Sequence, residues 1–331
     1  MPKKNKLEKY FEENNGMLER FTINTKITNR IIGFIICSVC YPLLTLSKRY
    51  NTIYSDEVNT TNAISYIQII MICCYIIAGM GFLYLALELI IPTKINVLVK
   101  KIKFSAKKTI FNVLDWLLIV PICCNIAIFM YSYLFIVNQI SGTSMMPTIE
   151  NNESVFVSYL DKVDRFDVVI AKITPEDNFA VTSNQYYIKR VIGLPGDTVT
   201  WNWSTSTLRI NGQIVDETYF PTNYLNEERE KEKVGLSKEN INKIAKSEGF
   251  DGEFQYKKYN KNTGNYEIET VTIIPEGYYF IMGDNRNIGG SKDSRVIGLV
   301  PSKNIIGVAK YHVIGIIPWG KIASQKDELK W

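Results

Sequence analysis

The stretch Tyr186-Tyr187-Ile188-Lys189-Arg190-Val191-Ile192-Gly193-Leu194-Pro195-Gly196-Asp197 reads as one β-strand closed by a turn. Aromatic and β-branched residues fill it, and Pro195-Gly196-Asp197 stops it. Successive side chains on a strand alternate faces, so Tyr187 and Lys189 share one face and Arg190 takes the other. Lys189 is thereby open to two readings, a snorkelling surface amine or a buried neutral one. A free lysine titrates near 10.4, and burial lowers that by up to about 3–5 units, so only the buried form supplies a base at neutral pH.

Working outward, residues 140–331 continue in the same style. Val155 to Val157, Asp167 to Ile170, Val199 to Ile210, Val271 to Ile274, Tyr278 to Met282 and Ile305 to Ile317 are further expected strands. Asn211-Gly212 between Leu208-Arg209-Ile210 and Ile214-Val215 is a hairpin signal. A Lys-, Glu- and Asn-rich insert at about 222–266 interrupts the strands. It is expected to be a solvated surface excursion, with a short helix over Ser237 to Lys246. The whole reads as a mostly β, water-soluble domain over 140–325.

The preceding half differs in kind. Residues 31–139 are crowded with Ile, Leu, Phe, Cys and Tyr, and hold all six cysteines, so no disulfide framework holds the β half. Three stretches, about 31–47, 66–91 and 116–137, approach the roughly 20 apolar residues that cross a bilayer. Lys94, Lys100, Lys101, Lys103, Lys107 and Lys108 crowd the connector 93–110, which has no acidic residue. The tail 1–30 carries Lys3, Lys4, Lys6, Lys9, Arg20, Lys26 and Arg30, diluted by four glutamates. Positive residues stay cytoplasmic, so tail and connector are expected inside, and three spans leave the β domain outside a plasma membrane. The first span is not expected to be a cleavable signal, since a long charged tail precedes it and no small-residue cleavage site follows. The net charge of +5 is modest and follows this topology, which argues against nucleic-acid binding.

Chemistry enters with Ser144, in Ser141-Gly142-Thr143-Ser144-Met145-Met146-Pro147-Thr148 just beyond the third apolar stretch. An extended chain keeps it within roughly 20 Å of that span's expected end. With a single histidine, His312, in 331 residues, a serine protease here calls for an amine base. No metal-ligand cluster or phosphate-binding loop is evident, and no cofactor is expected.

Four ordered blocks carry a resemblance to bacterial type I signal peptidases, over roughly Leu114 to Ile322. They are Ser144 to Thr148; Phe166-Asp167-Val168-Val169; Tyr187 to Asp197; and Gly283-Asp284-Asn285-Arg286 followed by Ser291-Lys292-Asp293-Ser294-Arg295. The resemblance implies an antiparallel β catalytic fold and a membrane serine endopeptidase that removes signal peptides from exported preproteins through an acyl-enzyme. It implies Ser144 as nucleophile, Lys189 as general base and Ser291 as the hydroxyl orienting that base. The oxyanion hole would use the Ser144 N–H, at a site where some relatives add a serine hydroxyl and this chain has Gly142. Ile140, Met145, Ile149, Val155, Tyr187 and Ile188 match substrate-pocket positions. Asp284, Arg286, Asp293 and Arg295 match structural ion-pairing positions near the site. Expected partners are preprotein signal peptides, the lipid bilayer and the secretion machinery. Four residues separate Arg286 from Ser291, where the family usually has two. That longer loop and Gly142 keep open an alternative, a non-catalytic secretion or assembly factor on the same scaffold.

Overall fold

The computed structural model describes residues 6–45, 63–178, 180–260, 264–315 and 317–325. They fall into two compact units, divided at Tyr133/Leu134.

The first unit contains helices α1 (Lys6–Thr45), α2 (Ala63–Ile90), α3 (Pro92–Lys101) and α4 (Phe104–Tyr133). Three stretches, Thr22–Leu44, Ile67–Ile90 and Phe104–Tyr133, are long and apolar enough to cross a membrane. Phe34, Tyr41, Met71, Cys74, Cys124 and Ile128 pack together between the helices, while Ile36, Ile76, Phe82 and Leu83 lie exposed on their outer faces. Such a pattern suits a hydrocarbon solvent, where the outside of a bundle is as apolar as its inside. Asn125 ties α4 to α1 by donating to the Cys37 carbonyl at 2.8 Å, and Arg30 pairs with Asp115 at 2.6 Å.

Helix limits differ from the expected ones. The first helix starts far upstream of Ile31, because Lys26 and Arg30 alter solvation without interrupting backbone hydrogen bonding. The basic connector 93–110 is largely helical. The third apolar helix ends at Tyr133, not 137, and Phe135–Gln139 is instead a strand. A short apolar run cannot by itself distinguish the end of a span from a buried strand. The chain-length ceiling between that helix end and Ser144 rises accordingly to about 40 Å. The nearly balanced charges after the first apolar stretch, Lys48 and Arg49 against Asp56 and Glu57, and Asn59-Thr60-Thr61, which fits the N-glycosylation acceptor pattern, lie outside the described residues.

The second unit is built on strands β1 (Phe135–Gln139), β2 (Ser154–Ser158), β3 (Val168–Ile173), β4 (Gln185–Gly193), β5 (Val199–Asn202), β6 (Thr207–Ile210), β7 (Gln213–Val215), β8 (Phe254–Asn260), β9 (Asn265–Val271), β10 (Tyr278–Met282), β11 (Val300–Pro301), β12 (Ile305–Ile314) and β13 (Ile317–Lys321). The main sheet runs β1-β2-β12-β3-β4-β10-β11, with β13 also on β12, and its pairings are antiparallel. β5-β6-β7 form a second sheet and β8-β9 a hairpin. The β6–β7 turn is Asn211-Gly212, with φ of 50° and 78°, the left-handed pair that a tight two-residue hairpin requires. β4 is central, pairing Lys189 with Val169 and Arg190 with Val168 on β3. At its end Gly193 admits no side chain, since a Cβ would lie 2.3 Å from Ile274 Cδ1.

The insert is more structured than expected. It forms α5 (Tyr224–Lys233), α6 (Lys238–Glu248) and most of the β8-β9 hairpin; the helix α7 (Ser294–Ile297) follows later in the chain. Ser237 caps α6 by accepting the Asn240 N–H. Phe254 and Tyr256 are buried in the same core as Phe166, Trp201 and Phe280. The segment is therefore not only a solvated excursion, because two of its aromatic side chains complete the core. Val271 ends β9 rather than opening a strand to Ile274.

Candidate active site

Ser144 sits in the turn between β1 and β2. Two contacts from the β10–α7 loop hold this turn. Asn285 donates its backbone N–H to the Ser144 carbonyl at 3.0 Å and its Nδ2 to the Thr143 carbonyl at 3.0 Å. Gly283 must be glycine here, since a Cβ would lie 2.5 Å from the Ser144 carbonyl oxygen.

Lys189 comes from the middle of β4 and is 3% exposed. Its Nζ donates to Ser144 Oγ at 2.7 Å and to the Ile188 carbonyl at 2.8 Å. Burial is the dominant influence on the amine and pushes its pKa down to about 8. Asp293 and Asp284 pull the value back up, and Arg295 opposes them. The Tyr187 ring, on the same strand face, lies 5.3 Å from the ammonium. A 2.7 Å contact between the serine hydroxyl and an amine whose pKa burial has lowered is the geometry that proton abstraction from serine needs.

Ser291 is near but not joined to the base. Its Oγ is buried and makes no hydrogen bond of ordinary geometry; its polar influence falls on Asp293, whose carboxylate it favours. The loop does return beside the serine turn, as the Ser291 side chain packs on Gly283. Gly142 has φ +108° and donates its N–H to Asn151 Oδ1 at 2.8 Å, so it adds no free donor to an oxyanion site. Met145, Ile149, Val155, Ile140 and Ile188 are buried, and ordinary packing accounts for them; Tyr187 is half-buried.

The ion pairs are more extended than the sequence suggests. Asp293 pairs with Arg295 through two 2.9 Å contacts and also accepts the Gly283 N–H at 2.9 Å. Burial raises the Asp293 pKa, but Arg295 and these hydrogen bonds outweigh it and hold the carboxyl below its usual range. Asp284 pairs instead with Arg190, which is fully buried, at 2.9 and 2.6 Å. Arg286 pairs with Glu217 at 2.6 and 3.3 Å and donates Nε to the Gly283 carbonyl at 2.7 Å. Sequence reading missed Glu217, Asn285 and the burial of Arg190. Of these only Arg190 carried a local signal, a charge in an otherwise apolar strand. His312 contacts Glu153 at 2.5 Å, away from the Lys189 amine's partners. Among the described residues no cluster of His, Cys, Asp and Glu suits a metal. A cavity of about 680 Å³ lined by Trp201, Arg209, Lys246 and Arg295 includes neither Ser144 nor Lys189.

A family model described as signal peptidase, peptidase S26, matches residues 113–314. Signal peptidase I S of Bacillus subtilis (strain 168) is 32% identical over 212 residues, covering 62% of this chain and 90% of that one. Signal peptidase I of Bacillus licheniformis is 32% identical over 205 residues, 60% of this chain and 88% of that one. Signal peptidase IB of Staphylococcus aureus (strain COL) is 29% identical over 205 residues, with the same coverage. Because the matched stretch runs from within α4 to the last residue of β12 and contains the buried lysine and its serine, the chain belongs to the signal peptidase family, peptidase S26, and is a serine endopeptidase.

Proposed function

We propose that this membrane protein removes signal peptides from exported preproteins, with Ser144 as nucleophile and Lys189 as general base. The observation that carries this reading is the 2.7 Å contact between a buried amine and an otherwise unremarkable serine hydroxyl. Neutral Lys189 takes the Oγ proton as Oγ attacks the scissile carbonyl carbon. The resulting lysine ammonium then protonates the departing amine, which leaves Ser144 esterified to the signal peptide. Water, deprotonated by Lys189 in turn, attacks the ester carbonyl and restores the hydroxyl. The Ser144 N–H, for which no acceptor exists among the described residues, is the donor we assign to the developing oxyanion.

Ser291 is assigned a supporting place beside Asp293 in the wall behind the base, and Tyr187 the exposed edge of the substrate channel. The Lys-rich segment before α4 supports a cytoplasmic connector and an extracytoplasmic β unit. A preprotein's apolar segment would then approach from the bilayer, where the secretion machinery delivers it. Glycine at 142 and the longer loop before Ser291 leave the catalytic pair intact, which favours the enzyme over a non-catalytic scaffold.

The test is cleavage of a model preprotein by detergent-solubilised full-length protein. Ser144→Ala and Lys189→Ala should each lower kcat/KM by at least about 10²–10⁴-fold while still unfolding in one cooperative transition. Undiminished cleavage by either folded variant would place the chemistry on other residues.

A further inference from the structure

The loop from Arg286 to Ser291 runs between the two ends of the serine-holding apparatus. Upstream, Asn285 pins the Ser144 turn; downstream, Ser291 packs on Gly283. The loop's internal ties are few: the Asn287 N–H donates to Asn285 Oδ1 at 3.2 Å and the Gly290 N–H to the Asn287 carbonyl at 2.8 Å. Gly289 has φ +65°, and Gly290 is pressed so close to Asn285 that a Cβ would lie 2.5 Å from Asn285 Oδ1. Glycines permit this path without enforcing it.

What grips the loop comes from the insert. On α5, Arg229 donates Nη2 to the Arg286 carbonyl at 2.7 Å. Glu232 accepts the Ile288 N–H at 2.7 Å, and Glu228 accepts from Asn287 Nδ2 at 3.5 Å. Residues three and four apart share a helix face, so these three side chains present one surface to successive residues of the loop. Arg229 is 2% exposed, lies 4.3 Å over the Trp203 ring and is paired with Glu232. No step of peptide cleavage uses this buried charge. Its visible partners are the loop, the carboxylate that holds the loop and the ring beneath it.

We propose that α5 of the insert braces the catalytic loop, with Arg229 and Glu232 as positioning residues that fix Asn285 and, through it, the Ser144 turn. This rests on the Ser144–Lys189 reading. Misplacing reacting groups by about 1 Å can lower a rate on the order of 10²-fold, so a loosened brace acts on kcat more than on KM.

The experiment measures kcat and KM for a model preprotein with full-length protein, well below each variant's Tm. Glu232→Ala, which removes the acceptor for the Ile288 N–H, should lower kcat about tenfold with KM within about twofold. Glu232→Gln, which keeps an acceptor oxygen, should recover at least half of that loss on a logarithmic scale. A wild-type kcat in Glu232→Ala overturns the proposal, as does a loss that Gln does not relieve. Should Glu232→Ala fail to fold, Glu232→Asp decides. It keeps the charge beside Arg229 but falls one methylene short of Ile288, so an unchanged kcat there overturns the brace. Ser144→Ala and Lys189→Ala run alongside. If they remain active, the dyad reading fails; if they are inactive while Glu232→Ala is fully active, the brace alone fails.

Discussion

The two faces of β4 put neighbouring cations through opposite treatments. Lys189 and Arg190 are 3% and 0% exposed, so both have lost their water. On the Arg190 side the sheet returns what burial removes. Asp284 meets the guanidinium in a two-point pair, the Phe166 and Ala323 carbonyls each accept from Nη1 at 2.8 Å, and the Tyr219 ring lies 3.9 Å away. The guanidinium's pKa rises despite its burial, chiefly because Asp284 is there. On the Lys189 side the amine meets a hydroxyl and a carbonyl, with its carboxylates occupied by arginines. Its pKa falls. Burial alone therefore does not choose a protonation state; the direct ionic partner does.

Breaking the partnered side has the largest expected effect. Asp284→Ala leaves Arg190 charged and unpaired in the core, which should remove about 3–5 kcal/mol of stability in a denaturant melt. A loss under about 1 kcal/mol would mean that the carbonyls and Tyr219 suffice without the carboxylate.

The unpartnered side should respond in the opposite direction. Below pH 8 the folded lysine holds its proton less tightly than the unfolded chain does, so folding works against protonation. The handicap is about 3 kcal/mol at pH 7, shrinks as pH rises from about 8 to the ordinary 10.5, and vanishes above that. Lys189→Met should thus be inactive yet more stable than wild type near neutrality, with the two melting curves converging at high pH. Equal gains at pH 7 and pH 11 would point to packing instead.

A smaller effect appears in the rate. With the base at about 8, about one-tenth of the enzyme is active in protonation at pH 7. The kcat/KM of the wild type should climb about tenfold per pH unit at low pH and level off above 8. A profile already flat between pH 6 and 9 would contradict an amine base in this setting.

Much of this was legible in the sequence, for reasons that differ residue by residue. Lys189 stands in an apolar strand that left a surface and a buried amine both open, and only the resemblance carried by the surrounding blocks favoured the buried one; the structure buries it, and its neighbour Arg190 as well. Ser144 was legible from its motif and the missing histidine partner. The Arg190–Asp284 pair spans 94 positions, and nothing local to either residue announces the other. The Ser291 expectation met a loop that α5 contacts at Arg286, Asn287 and Ile288, a tertiary contact that no spacing encodes. The insert looked solvated because charged residues dominate its composition, yet Phe254 and Tyr256 are buried in the core and Tyr224, Leu225 and Phe250 pack against it. The end of the third apolar helix was misplaced because Phe135, Ile136 and Val137 suit a lipid-facing helix as well as a buried strand.

Three buried arginines lie over aromatic rings, and two of those rings belong to Trp201 and Trp203. The second is wholly shut from water beneath Arg229. An indole excited beside a fixed positive charge emits at a wavelength set by that field, so intrinsic fluorescence becomes a strain gauge for the loop beside the serine. The same light that reports unfolding would then report, within the folded enzyme, whether a bound peptide or a substitution has shifted Arg229 or Arg286.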